Sequence, residues 1–256
     1  MVIDNIQHAT ISAGLKNVDL SGDPLAGTVE AKRFANATSQ TYGTARTAGK
    51  GNAVKAKNVT VAIDTDKEIV EELEDKDVRL YSVNDVLTRR SNNHVITVAT
   101  ELDKAFFTAA ATAATEVALD KNAAVEDVLE KIIQECENTV NAFVEGVPRQ
   151  LMSLVLNTEW YGKVRNNLDK QSRSNVDTTA EEFYTWHGVE TNSCVHLPAG
   201  TPFLLMVRGA VAQPVMATQY AAEKIPLSNA YGVSLFYNYG TKVVTPDLIF
   251  KPKFEE

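Results

Sequence analysis

The run Thr28-Val-Glu-Ala-Lys-Arg-Phe34 and its return, Val54-Lys-Ala-Lys-Asn-Val-Thr-Val-Ala-Ile63, bracket a stretch that cannot build a core. The return arm alternates. Lys55, Lys57, Val59, Val61 and Ile63 point one way, and Val54, Ala56, Asn58, Thr60 and Ala62 the other, the period of a strand. Paired with Thr28–Phe34 it makes a long hairpin. Between Phe34 and Val54 there is no Leu, Ile, Val, Met, Phe or Trp, and Tyr42 is the one large ring. Ordering such a tip costs roughly 1–2 kcal/mol per residue with little apolar burial to offset it. The tip is therefore expected to be disordered alone, or ordered by lying on something else.

The hairpin is also basic. From Gly27 to Ile63 the bases are Lys32, Arg33, Arg46, Lys50, Lys55 and Lys57 against Glu30 alone, a net of +5. The next block, Asp64 to Asp85, holds nine acids against Lys67, Lys76 and Arg79, a net of −6. A crowd such as Glu68, Glu71, Glu72, Glu74 and Asp75 is a solvated or partner-facing surface, since tuned catalytic carboxylates sit in apolar or specifically paired surroundings. Adjacent blocks of opposite sign suit neighbouring copies of one chain, the basic arm of one over the acidic segment of the next. Charge would set register and orientation, and many weak pairs plus apolar contacts would do the holding. The two sets are the expected intersubunit contacts.

Outward from these blocks the chain is ordinary. It has 256 residues, net charge −8, 44% hydrophobic and 23% charged residues, enough for one or two domains and a sizeable core. A net acidic chain argues against a general nucleic-acid binder. No apolar run reaches membrane-spanning length, and Met1 to Gly14 has no secretory pattern, so a soluble chain made inside the cell is expected. Apolar residues at Val86, Leu87, Val95, Val98, Leu102, Phe106 and Ala109/Ala110 predict one long helix from Val83 to about Val117, with a break near Ser91-Asn92-Asn93 as the alternative. A second helix is predicted over Val125–Val144 after an Asn122 cap, stopped by Gly146 and Pro148. Leu151–Leu156 reads as a buried strand, and Asn157 or Thr158 caps a helix to about Leu168. Asp169–Thr179 is a loop. Strands follow near Thr185–Glu190, Phe203–Arg208, Gln213–Ala217, Tyr231–Tyr239, Lys242–Val244 and Leu248–Phe250. The class is α+β.

Motifs for catalysis are scarce. Gly43 to Gly51 has five residues between its first two glycines where a phosphate loop needs four, and Gly51 stands where the metal-binding Ser/Thr belongs. Tyr42 beside lysines could stack on a base, thin support for nucleic-acid binding next to an acidic block. His187, Glu190, Cys194 and His196 are the one cluster of metal-ligand types, and their spacing matches no zinc pattern. A small metal-dependent enzyme using His187, Cys194 and His196 is the alternative of a different class. Cys136 lies on a helix stripe as a small hydrophobe, and His94 reads as a core or interface histidine. No cofactor is expected.

The order of elements resembles the major capsid proteins of tailed phages with the Hong Kong 97 shell fold. The resemblance runs through the basic hairpin and Val59-Thr-Val-Ala-Ile-Asp-Thr-Asp-Lys-Glu-Ile-Val-Glu-Glu72, then Ala99-Thr-Glu-Leu-Asp-Lys-Ala-Phe-Phe107, Leu154-Val-Leu-Asn-Thr-Glu-Trp160, His187-Gly-Val-Glu190, Leu197-Pro-Ala-Gly200 and Gly232–Tyr239. It implies an N-terminal arm (1–26), an extended loop (27–64), a peripheral domain with a spine helix (65–121 and 223–256) and an axial domain (122–222). It implies a subunit of pentamers and hexamers in an icosahedral virion head, assembled in the host cytoplasm around double-stranded DNA. Contact with the packaged DNA is then weak and non-specific. About 26 residues precede the loop, so a built-in scaffold segment is not expected, and a separate scaffolding protein, a portal and a decoration protein are the implied partners. No lysine–asparagine crosslink is expected. An encapsulin-like nanocompartment shell is the alternative within the same fold.

Overall fold

The computed structural model describes residues 5–6, 9–74, 76, 83–170, 184–217 and 221–255. Its frame is a six-stranded sheet in the order Thr115–Asp120, Ile249–Glu255, Phe203–Val207, Met152–Leu156, Val189–Ser193, Thr185–Trp186. Two neighbouring pairs are parallel, Ile249–Glu255 with Thr115–Asp120 and Val189–Ser193 with Met152–Leu156. Strand Met152–Leu156 is apolar almost throughout because both of its faces are covered. Met152, Leu154 and Leu156 face a core shared with helices Val125–Glu137 and Thr158–Lys170, while Val155 faces Phe106, Phe107 and Ala110 of the long helix. Phe203 and Leu205 against Leu204 and Met206 repeat the alternation one strand over. The sheet thus places Thr115–Asp120 and Ile249–Glu255, which the expected boundaries give to the peripheral unit, beside strands of the axial unit.

The long helix is one uninterrupted element, Val83–Ala113, 31 residues and about 46 Å long. Ser91, Asn92 and Asn93 are helical, so the broken alternative is not realised. Val95, Val98, Leu102, Phe106 and Ala110 are buried as the stripe predicts; the side chains of Val86 and Leu87 lie outside the described residues. The helix ends four residues earlier than expected. Thr115-Glu-Val-Ala-Leu-Asp120 switches to period two, burying Val117 and Leu119 beside the closing segment. Tertiary pairing here overrides helical continuation.

Two further expectations are corrected. The second helix stops at Glu137, because Val140–Asn141 and Val144–Glu145 form a small hairpin whose turn is held by Asn141 Oδ1 accepting from the Phe143 and Val144 amides at 2.8 and 3.1 Å. Val140, inside the predicted helix, is exposed. Its N-cap is Ala124, not Asn122. The strand near Thr185–Glu190 is in fact two, folded at His187-Gly188, both with positive φ. Asn157, by contrast, caps the helix starting at Thr158 as expected, its Oδ1 accepting from the Trp160 amide at 2.8 Å.

A second sheet lies against the middle of the long helix. Its centre is Ala230–Tyr239, flanked on one side by Val215–Ala217 and Ala221–Lys224 and on the other by Thr65–Glu74. Leu235, Tyr237 and Tyr239 pack on Val95, Val98 and Leu102. The first part of the acidic block, Thr65–Glu74, is therefore a strand, which its crowded carboxylates concealed. The basic hairpin leaves the body just before it, Thr28–Phe34 pairing with Ala56–Ala62 from Thr28↔Ala62 to Phe34↔Ala56. Val29, Ala31 and Val61 anchor its base on Ala212 and Val244. Gly240 lets this junction close: a Cβ there would stand 1.8 Å from the Ala62 carbonyl oxygen.

Candidate intersubunit surfaces

The hairpin divides into an anchored base and an unsupported tip. Arg33, expected to face another subunit, is committed within its own chain. Its guanidinium donates twice to the Asp247 carboxylate, at 2.6 and 2.7 Å, and lies 4.6 Å from the centre of the Phe143 ring. Asn141 donates to the same carboxylate at 2.7 Å, and the Asn36 amide donates to Ala142 O at 3.0 Å. Burial works against ionised Asp247, but the hydrogen bonds from Arg33 and Asn141 outweigh it and hold the carboxyl below its ordinary range. This clamp sets the direction in which the hairpin leaves the body.

The Ala35 amide donates to Lys55 O at 2.9 Å, and beyond that bond the two arms leave the ladder. A five-residue helix, Thr44–Ala48, turns the tip between Gly43 and Gly49, both at positive φ, which removes the phosphate-loop reading. Tyr42 and Val54 are almost fully exposed. Lys32, Arg46, Lys50, Lys55 and Lys57 are exposed and reach no carboxylate among the described residues. The tip has no core of its own, as its composition requires.

The acidic strand has two faces. Lys67, Ile69, Glu71 and Leu73 turn toward the long helix, and Asp66, Glu68, Val70, Glu72 and Glu74 toward solvent. Glu71, expected as a contact to another subunit, has partners within its own chain. It binds Arg90 through paired hydrogen bonds and stands 2.9 Å from Nε2 of His94, which is 1% exposed. The bonds from Arg90, with help from His94, hold its carboxyl low. His94 is thus a core histidine, and the strand is tied to the helix through polar as well as apolar contacts. Next along, Glu101 accepts from the stacked Tyr237 and Tyr239 hydroxyls at 2.6 and 2.9 Å, with Lys67 at 3.5 Å. Glu68, Glu72 and Glu74 have no partner among the described residues, and Asp75 lies outside them.

No known family's sequence pattern matches this chain, and no curated protein does. Solved structures match it over almost its whole length. The structure from Mycobacterium phage Che8 is 20% identical with TM-score 0.67, over 95% of this chain and 91% of that one. The capsid of cyanophage P-SCSP1u is 16% identical with TM-score 0.66, over 94% and 86%. A virus-like particle from Pyrococcus furiosus is 10% identical with TM-score 0.60, over 98% and 96%. The chain has the phage capsid fold.

On that fold the metal-ligand types fall apart. His187 sits on the turn between two short strands, its Nδ1 2.8 Å from Glu130. Cys194 lies just past the end of its strand in the core under the long helix, and its Sγ accepts from the His196 amide at 3.3 Å. Burial pushes this thiol up to about 11 and that of Cys136 up to about 12, so neither is a nucleophile at neutral pH. Among the described residues no three His, Cys, Asp or Glu side chains converge on one point. His187 belongs instead to a polar node that the sequence did not announce. Arg149 bridges Glu137 at 2.7 Å and Glu130 at 2.6 Å, joining helix Val125–Glu137 to the His187 turn. The Arg149 bonds, helped by His187, lower Glu130 to about 2. Asp247 and Asn141 were likewise unread, because lone polar residues in loops carry no periodic signal.

Proposed function

We propose that this chain is the major capsid protein of a tailed double-stranded DNA phage, forming pentamers and hexamers of an icosahedral head. The observation that carries the reading is a folded body from which a basic, coreless hairpin projects, on a fold shared with phage capsids along nearly the whole chain. A subunit that retains an ordered-on-contact arm is built to be completed by neighbours. The work is assembly, through the tip lysines and Arg46 on one copy and Glu68, Glu72 and Glu74 on another. The division into arm (1–26), loop (27–64), peripheral and axial units belongs to the same proposal, as do a separate scaffolding protein, a portal and a decoration protein. The net negative charge suits a container whose wall must hold DNA without gripping it.

A nanocompartment shell enclosing protein cargo is the second reading, favoured by the likeness to the Pyrococcus furiosus particle. That likeness is weaker in both identity and TM-score than those to the Che8 and P-SCSP1u structures. Electron microscopy and sedimentation of the purified chain test the proposal. Shells, pentamers or hexamers are expected. A compact monomer with a radius of gyration near ~18 Å under every condition, with no higher species, would overturn it.

A further inference from the structure

Among the described residues the strand Thr65–Glu74 has one neighbouring strand. It pairs with Ala230–Tyr239 in an unbroken ten-residue antiparallel register, and no strand lies on its other side among the described residues. Which backbone groups face that open side follows from the strand behind. The Ile225 amide donates to Ala230 O, and the Gly240 amide donates to Pro214 O. Even-numbered residues of the central strand therefore direct their N–H and C=O away from the acidic strand, and odd-numbered residues direct them toward it. Through the register, Thr65, Lys67, Ile69, Glu71 and Leu73 are the hydrogen-bonded partners. Asp66, Glu68, Val70, Glu72 and Glu74 present their N–H and C=O to the open edge.

Five consecutive outward residues make a template for strand addition. Their carboxylates repel acidic or indiscriminate partners and leave a basic segment as the complement. The same chain carries one. Residues 50–54 form neither helix nor strand, lie outside the hairpin ladder and make no hydrogen bond to another described main-chain group. Lys50 and Lys55 flank exposed Val54. An antiparallel register that sets Val54 beside exposed Val70 also sets Lys50 opposite Glu74.

We infer that residues 50–54 of one copy add as a further strand to the open edge of Thr65–Glu74 of another copy, so that main-chain hydrogen bonds, and not side-chain charge alone, fasten the arm. The inference rests on the proposed assembly of copies and names its mode of attachment.

Hydrogen exchange, carbodiimide crosslinking and proline substitution test it. In free subunits the amides of Asp66, Glu68, Val70, Glu72 and Glu74 exchange rapidly while those of Lys67, Ile69, Glu71 and Leu73 are protected. On assembly the even-numbered set gains at least ~100-fold protection, the level of a paired strand amide. Carbodiimide applied to particles joins Lys50 to Glu74 or its same-face neighbour Glu72. Val70→Pro, whose missing N–H faces outward, keeps the subunit's melting curve and loses particles, whereas Ile69→Pro unfolds the sheet. Even-numbered amides that stay unprotected in particles overturn strand addition, even if Val70→Pro fails to fold. Protected amides crosslinked to a different segment overturn the occupant. Wild-type protein that never forms particles defeats the assembly reading itself, a result distinct from both.

Discussion

Replacing Arg33 with Met should destabilise the isolated subunit, although Arg33 stands in the basic hairpin. The substitution keeps the aliphatic stem and removes two charge-assisted hydrogen bonds of 2.6 and 2.7 Å to Asp247 together with the contact to the Phe143 ring. The side chains of the pair are 13% and 30% exposed, so the interaction lies between a surface bridge, worth about 0–1 kcal/mol, and a buried one, whose rupture costs about 3–5. Asp247 keeps Asn141 as a donor, which softens the loss. About 2–3 kcal/mol follows, or a fall in Tm of roughly 5–10 °C for a chain of this size. Thermal unfolding followed by circular dichroism measures it. The pH dependence adds a sign. Asp247 is held below its ordinary range when folded, so its contribution is present above the unfolded carboxyl pKa and fades as the pH falls through the folded one. The gap between wild type and Arg33→Met should therefore narrow in acid. A loss below about 0.5 kcal/mol at pH 7, or a gap independent of pH, would refute the clamp.

Reversing Lys50, Lys55 and Lys57 together to Glu should leave the melting curve within about 0.5 kcal/mol of wild type and abolish particles; sedimentation velocity reads both monomer and shell, and normal shells would remove the electrostatic account. Gly240→Ala should cost more than about 2 kcal/mol in equilibrium urea unfolding, because its Cβ meets a backbone carbonyl that cannot yield. Cys136 and Cys194 should resist a thiol reagent at pH 8 in the folded chain and react once it is unfolded, a difference that a colorimetric titration detects. Acidification below about pH 4.5 should cost roughly 1 kcal/mol at the Glu130 node after solvent screening, since its pKa near 2 makes the contribution one that is lost downward in pH; Glu130→Gln should remove that part of the acid transition.

The periodic elements could be read from the residues. The 3.6-residue stripe from Val95 to Ala110, the two-residue alternation of Val59 and Val61, and the apolar block Met152–Leu156 each find one solution in the fold. What escaped was decided by tertiary pairing. Glu68 to Glu74 read as a solvated run because charge masks alternation, and the strand exists only through its ladder with Ala230–Tyr239. Val140 and Phe143 continue a helical stripe on paper, yet Asn141 finds better hydrogen bonds in a turn. The candidate surfaces were half legible. Composition marked out the basic tip and acidic block, but the intrachain partners of Arg33 and Glu71 lie 214 and 19 residues away in sequence, beyond any local pattern.

The long helix has a mechanical consequence. Its middle turns are gripped by the sheet around Ala230–Tyr239 and its last turns by the six-stranded sheet, through Val98 and Leu102 on one side and Phe106 and Phe107 on the other. It carries neither Gly nor Pro, the usual sites of a kink. The helix is a beam clamped by two separate jaws. A tilt of about 10° at the Phe106 jaw sweeps the Val83 end, about 35 Å away, through about 6 Å. Any change of shape between the two ends of the subunit must then be shared as a gentle bow along the beam or as slip at a jaw.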